Sequence, residues 1–170
     1  EEELVVDKIY SGKLFSMDGL KKVGGSIKQT LGIGILCNNA RSEEDSILGD
    51  PTETALVKIA KKIGLDKKTL TEDNPRFIEH PFNSERKLMS IVRKKNGIFT
   101  SYVKGAPLNV LDKCTKEFVN GKIKLLNPKR KNELVKISRD MENDGLRVLG
   151  FGFRQISSKV NQENSENRLV

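Results

Sequence analysis

Apolar residues along this chain recur at two spacings, and the change from one to the other predicts where strands give way to helices. Val5, Asp7, Ile9 and the residues between them read as a short strand, followed by a loop marked by Gly12, Gly19 and Gly24-Gly25. Ser26 is placed to cap a helix that carries Ile27, Leu31 and Ile35 at every fourth position. The next helix has a full set of end signals: Asp50 as N-cap, Pro51 first, Glu53 third, a stripe of Leu56, Ile59, Ala60 and Ile63, and Gly64 as the stop. Residues 77–82 look extended. The β-prone runs 88–93 and 98–103 meet at Asn96-Gly97, a pair whose tolerance of positive φ suits a two-residue hairpin. A shorter hairpin turns at Asn120-Gly121. Helices open at Pro107, with Leu108, Leu111 and Cys114, and at Pro128, with Leu134, Ile137 and Met141. The second of these stops at Asp144-Gly145, before a last strand over 146–153. From Ser157 onward the chain is polar and asparagine-rich, and reads as a loosely ordered tail or linker in which an element resumes at Leu169-Val170.

Hairpin-joined strands interspersed with helices, without regular strand-helix alternation, predict an α+β fold with a mainly antiparallel twisted sheet flanked by helices. The 170 residues suit a single domain over 1–156, with 157–170 as its tail, and such a chain buries roughly 70% of its unfolded surface. No run of 18 apolar residues and no leader pattern is evident, so the chain reads as cytosolic.

Composition narrows the chemistry. The formal charge of +8, from 31 Lys and Arg against 23 Asp and Glu, is compatible with nucleic acid, anionic lipid or a small polyanion. The cations are scattered, as at Lys58, Lys61 and Lys62, and only 5% of residues are aromatic, with no Trp to stack bases. A nucleic-acid module is thus the weaker alternative. His80 is the sole histidine, which excludes His-based triads and multi-histidine metal sites. Glu43-Glu44-Asp45 reads as a solvated acidic loop rather than a metal site. Cys37 and Cys114 sit among apolar neighbours and read as buried free thiols.

The most suggestive local feature is Lys104-Gly105-Ala106-Pro107: a cation, a residue that permits close backbone approach, and a helix-opening proline. On its own it reads more readily as a plain strand-to-helix turn. Three further segments share the chain with it: Gly49-Asp50-Pro51-Thr52-Glu53-Thr54-Ala55-Leu56, Phe82-Asn83-Ser84-Glu85-Arg86-Lys87-Leu88-Met89-Ser90, and Asp144-Gly145-Leu146-Arg147-Val148-Leu149. Together with Cys37-Asn38-Asn39, in this order and spacing, they resemble the nucleotide-binding domain of P-type cation-transporting ATPases. The likeness is greatest to the type II branch, which includes calcium pumps and their bacterial relatives.

The resemblance implies ATP as ligand, with Mg-ATP in the intact pump. Phe82 would stack on the adenine, and Glu53 would accept from its exocyclic amine or from a neighbouring polar group. Lys87 and Lys104 would line the pocket, Gly105 and Ala106 would form its floor, and Arg147 would reach the ribose or phosphates. It also implies phosphorylation and actuator domains of the same parent chain as partners, a parent embedded in a membrane with this domain on the cytoplasmic face, and a monomeric isolated domain. Each residue has a plainer reading: Glu53 as a capping-box partner, Phe82 as core, Arg86 and Lys87 as strand-edge charges, Arg147 as one half of a surface ion pair. Leu108 stands where the family often has glutamate, and Ser84 where some animal pumps have arginine. The 170 residues contain no Asp-Lys-Thr-Gly phosphorylation sequence, no Walker-type loop and no Gly-Asp-Gly motif, so they are not expected to transfer a phosphoryl group alone. A nucleotide-sensing regulatory domain is the remaining alternative. Alanine at Phe82 or Lys104 is expected to weaken ATP binding and leave the fold intact.

Overall fold

One Asn-Gly turn joins the two central strands of the sheet, and a second closes a separate hairpin. In the computed structural model, which describes residues 3–18 and 23–170, β6 (Leu88–Lys95) and β7 (Ile98–Gly105) pair antiparallel across Asn96 and Gly97, at φ 49° and 77°. These left-handed values match the right-handed twist of the strands they join. β5 (Arg76–His80) adds beside β6 and β10 (Gly150–Ile156) beside β7, giving a four-stranded antiparallel sheet in the order β10-β7-β6-β5. A separate hairpin, β8 (Lys116–Val119) with β9 (Lys122–Leu125), turns at Asn120 and Gly121 with φ 51° and 77°. The α+β class and the antiparallel sheet are as the pattern predicted.

Side chains alternate across the central strands, so each face of the sheet meets a different layer. Leu88 and Val103 point to α4 (Pro107–Asp112) and the chain's last residues, where they form a core with Val110, Cys114 and Leu169. Met89 and Ile91 point the other way and pack with Cys37 and Tyr102. On that side lie α1 (Gly25–Leu36) and α2 (Pro51–Lys62), joined through Ile35, Ala40, Val57 and Ala60. Ile27, Leu31 and Leu56 build a further cluster with Ile9 and Met17, against which Phe151 of β10 packs. Ile91, Val92 and Val103 are fully buried, and each contributes about 1.5–3 kcal/mol by leaving water. α5 (Pro128–Asn143) lies outside this core with only Ser138 buried.

Several local expectations shift. Ser26 does not cap α1; the N-cap is Gly24 and no side chain serves it. Gly19 lies outside the described residues. The first strand, β1, runs Lys8–Tyr10 and pairs with β2 (Leu14–Ser16) inside what read as a loop. β3 (Arg41–Ser42) with β4 (Ile47–Leu48), and α3 (Lys67–Asp73), carried no clear pattern in the sequence. α4 ends before Cys114. β10 starts at Gly150 rather than at Leu146, because its partner β7 ends at Gly105, where the chain turns through Ala106 to Pro107.

The segment from Ser157 is not loose. It contains α6 (Gln162–Ser165), buries Ser165, Glu166 and Leu169, and is held by an Arg86–Glu166 ion pair at 2.8 Å and by Ser101 Oγ donating to Ser165 O at 2.6 Å. Its polarity misled because its buried polar groups are paired internally. Val170 and Phe153 exchange backbone hydrogen bonds, which fastens the end to β10.

Candidate functional site

Gly105 ends β7 between Lys104 and Ala106 and against Lys87, three other predicted site residues. It faces Leu88 on one neighbouring strand and Gly150 on the other, at the end of the sheet where the 81–87 loop, the start of α4 and the 144–149 loop converge. A Cβ at 105 would lie 2.6 Å from Leu88 Cα, so the close approach that glycine permits here is to the neighbouring strand. Ala106 N donates to Lys87 O at 2.8 Å, and Lys87 N donates to Asn83 O at 2.8 Å. That clasp holds Lys87 at φ 55°, a left-handed conformation rare for a residue with a Cβ. Lys87, Gly105 and Ala106 are thereby fixed together, with the Lys87 side chain in solvent.

One residue before Gly105, Lys104 turns to the α2 side. Its Nζ lies 2.6 Å from Glu53 Oε1, and the two side chains are 8% and 11% exposed. α2 places Glu53 there because Asp50 caps the helix, accepting from Thr52 N and Glu53 N. The capping-box return bond from Glu53 is replaced: its Oε2 accepts from Asn39 N at 3.2 Å. Each carboxylate oxygen keeps further acceptor capacity.

Phe82 lies two residues past β5, in the loop that ends at Lys87, with 57% of its surface exposed. It is therefore not core. Arg147, in the loop three residues before the Gly150–Gly105 pairing, is also exposed. Five of the seven residues are thus tied by direct contacts or adjacency, while Phe82 and Arg147 flank them from separate loops at the same end of the sheet. A cavity of about 580 Å³ beside α5 includes Arg147 in its lining but none of the other six. A second, of about 870 Å³, lies between α4 and α6 and is lined by none of the seven. Ser84 and Leu108, the two departures from the family pattern, are both exposed.

Behind Glu53 stands a polar network of which the sequence singled out only the Asn-Asn pair. Asn38, 1% exposed, donates from Nδ2 to Glu53 O at 3.1 Å and accepts at Oδ1 from Ala40 N and from Lys67 Nζ. Asn39 Nδ2 donates to Glu79 Oε1, and Arg76 bridges Glu79 Oε2 and Asn39 Oδ1. Arg93, buried on the same side, donates to Leu36 O and Asn74 O, and desolvation lowers its pKa to about 10. Nothing in the sequence marks Lys67 apart from its neighbour Lys68. Cys37, adjacent to this network, is a free thiol pushed up to about 12 by burial, and Cys114 is likewise free and raised to about 11, which removes both as thiolate nucleophiles.

Residues 26–170 match a family described as "P-type ATPase, cytoplasmic domain N". The chain is 37% identical over 146 residues to the calcium-transporting ATPase 1 of Lactococcus lactis subsp. lactis, covering 84% of this chain and 17% of that protein. It is 33% identical over 172 residues to the calcium-transporting ATPase 1 of Bacillus cereus, covering 100% of this chain and 19% of that protein. Identity to the sodium/potassium-transporting ATPase subunit alpha of Tetronarce californica is 30% over 138 residues, which is 74% of this chain and 14% of that one. The chain therefore spans less than a fifth of the length of these relatives. Among the described residues, no helix is long and apolar enough to cross a membrane.

Proposed function

The chain belongs to the P-type ATPase cytoplasmic domain N family, and from that premise we propose that it binds ATP at the sheet end formed by Glu53, Phe82, Lys87, Lys104, Gly105, Ala106 and Arg147. The observation that carries this reading is an aromatic ring left largely in solvent at Phe82, at the same end of the sheet as the buried Lys104–Glu53 pair. An exposed phenyl face suits the flat adenine. The carboxylate of Glu53, oriented by Lys104 and by Asn39 N–H, retains lone pairs for the exocyclic amine. Lys87 and Arg147 are exposed cations suited to the ribose-phosphate end, Arg147 through its planar fork.

ATP supplies the γ-phosphoryl group, and the acceptor aspartate and the magnesium site lie outside these residues. The contribution of this chain would be positioning: binding energy at the adenine end holds the phosphate tail toward a separate phosphorylation domain. The whole protein would be an ATP-driven cation pump, calcium being the ion named for the bacterial relatives. This domain would then sit on the cytoplasmic face of the membrane and work with phosphorylation and actuator domains of the same parent chain.

Calorimetric titration of this chain with ATP and with inorganic triphosphate tests the reading. ATP is expected to bind more tightly, and Phe82→Ala to lose on the order of tenfold or more in affinity for ATP while leaving triphosphate binding unchanged. Triphosphate binding as tightly as ATP, with a steep salt dependence, would instead mark a general polyanion surface. Undiminished ATP affinity in the Phe82 variant would remove the stacking role.

A further inference from the structure

The first turn of α2, which delivers Glu53, is held by a bracket of which the nucleotide reading uses only the Asn39 N–H. Asn38 sits just beyond α1 and is buried with both ends of its amide engaged: Nδ2 on Glu53 O at 3.1 Å, Oδ1 on Ala40 N at 2.8 Å and on Lys67 Nζ at 2.9 Å. Lys67 also donates to Asn38 O at 3.2 Å, so one ammonium grips both the side chain and the main chain of the same asparagine. The adjacent Asn39 N–H fixes Glu53 Oε2. The main chain and the carboxylate of Glu53 are therefore both set by the 38–39 segment, and Lys67, reaching in from the first turn of α3, sets that segment. A buried asparagine bonded at both its amide nitrogen and its amide oxygen specifies one arrangement, and removal of a partner leaves the amide oxygen short in a dry site.

Resting on the reading of this sheet end as a nucleotide site, we propose that Lys67 is a positioning residue for it: acting through Asn38, it holds Glu53 where the carboxylate meets both Lys104 and the base, so that affinity for adenine nucleotides depends on the Lys67 side chain. Among the described residues, no hydrogen bond or ion pair joins Lys67 to the seven site residues; its ammonium bonds Asn38. The charged groups around it come from four elements: Glu53 of α2, Arg76 of β5, Arg93 of β6 and Lys104 of β7. Desolvation, reinforced by the three cations and opposed by Glu53, brings its pKa down to about 8. The bracket thus carries its full charge below that pH and loses it above, whereas an arginine in its place remains charged throughout.

The test measures ATP affinity by calorimetry from pH 7 to 9.5 for the wild-type chain, Lys67→Arg and Lys67→Met, with circular dichroism to confirm that each variant is folded. Wild-type affinity is expected to fall severalfold between pH 7.5 and 9. Lys67→Arg should hold near the wild-type pH 7 affinity across the range, and Lys67→Met should be about tenfold weaker at pH 7 and flat. If wild type binds ATP and the Lys67→Met variant matches it at pH 7, or if the wild-type and Lys67→Arg profiles superimpose, the positioning role is overturned while the nucleotide site stands. If wild type binds no ATP at any pH, the nucleotide reading falls first and this role with it. The arginine variant keeps the comparison decisive should methionine prevent folding.

Discussion

Replacing Lys104 by methionine would leave Glu53 as a carboxylate in a site where its side chain is 11% exposed. Removing one member of a buried ion pair costs about 3–5 kcal/mol, because the remaining charge keeps its desolvation penalty and loses its partner. Here Asn39 N–H still serves Oε2 at 3.2 Å, which places the expected loss at the lower end, about 3 kcal/mol. For a domain of this size that corresponds to a fall in Tm of roughly 6–12 °C. Differential scanning calorimetry at pH 7 measures it. Adding Glu53→Gln removes the stranded charge and keeps an oxygen for Asn39 N–H, so the double variant is expected to recover most of the loss. A single variant that melts within about 1 °C of wild type, or a double variant no better than the single, would refute the account of a buried, mutually dependent pair. The same geometry revises the expectation that alanine at 104 probes binding alone; it tests the fold first, and Phe82, exposed and unpaired, is the cleaner binding probe.

Gly105→Ala places a methyl against Lys87 O and the Leu88 backbone, and should destabilise by roughly 1–3 kcal/mol in urea unfolding; a midpoint equal to wild type would show that β6 yields at Leu88 without cost. Burial raises the thiols of Cys37 and Cys114 from 9.0 to about 12 and about 11. Above pH 9 the unfolded chain releases thiol protons that the native state retains, so the stability these groups contribute at lower pH is lost as pH climbs toward the folded values. Lys67, whose pKa is lowered, acts in the opposite sense from about pH 8. The urea midpoint of a Cys37→Ala/Cys114→Ala variant is therefore expected to decline less between pH 9 and 11 than that of wild type, and parallel slopes would refute the assignment.

What the sequence made legible was whatever a local rule enforces. Asn96-Gly97 and Asn120-Gly121 demanded hairpins because few other pairs accept two successive left-handed residues. Asp50-Pro51 opened α2 because the cap and the missing N–H belong together at a helix start. Elements built from pairings of two or three residues, such as β2, β3 and β4, are too short to carry a period, and α3, at seven residues, buries no side chain to reveal one. The 157–170 segment was misread because two of its three buried positions are the polar Ser165 and Glu166, whose partners Ser101, Ser90 and Arg86 are more than sixty residues away in sequence. At the candidate site the segments could be gathered by likeness, but the Lys104–Glu53 contact spans 51 residues and the grip of Lys67 on Asn38 spans 29. Such distances are set only by the packing of helices on the sheet, and no spacing in the sequence encodes them.

The outer strand β5 has a further consequence, for self-association. A free antiparallel edge presents unpaired backbone groups to any passing strand, and this one also displays Phe77 and Ile78. Yet it is five residues long, has an irregular register between Arg76 and Ile78, and lies between Pro75 and Pro81, neither of which has an N–H to offer. Arg76 and Glu79 are locked to each other and to Asn39 across its face. A strand from a second copy would find a short, kinked and charged ladder there, so the sheet can keep an aromatic surface in water without inviting its own extension.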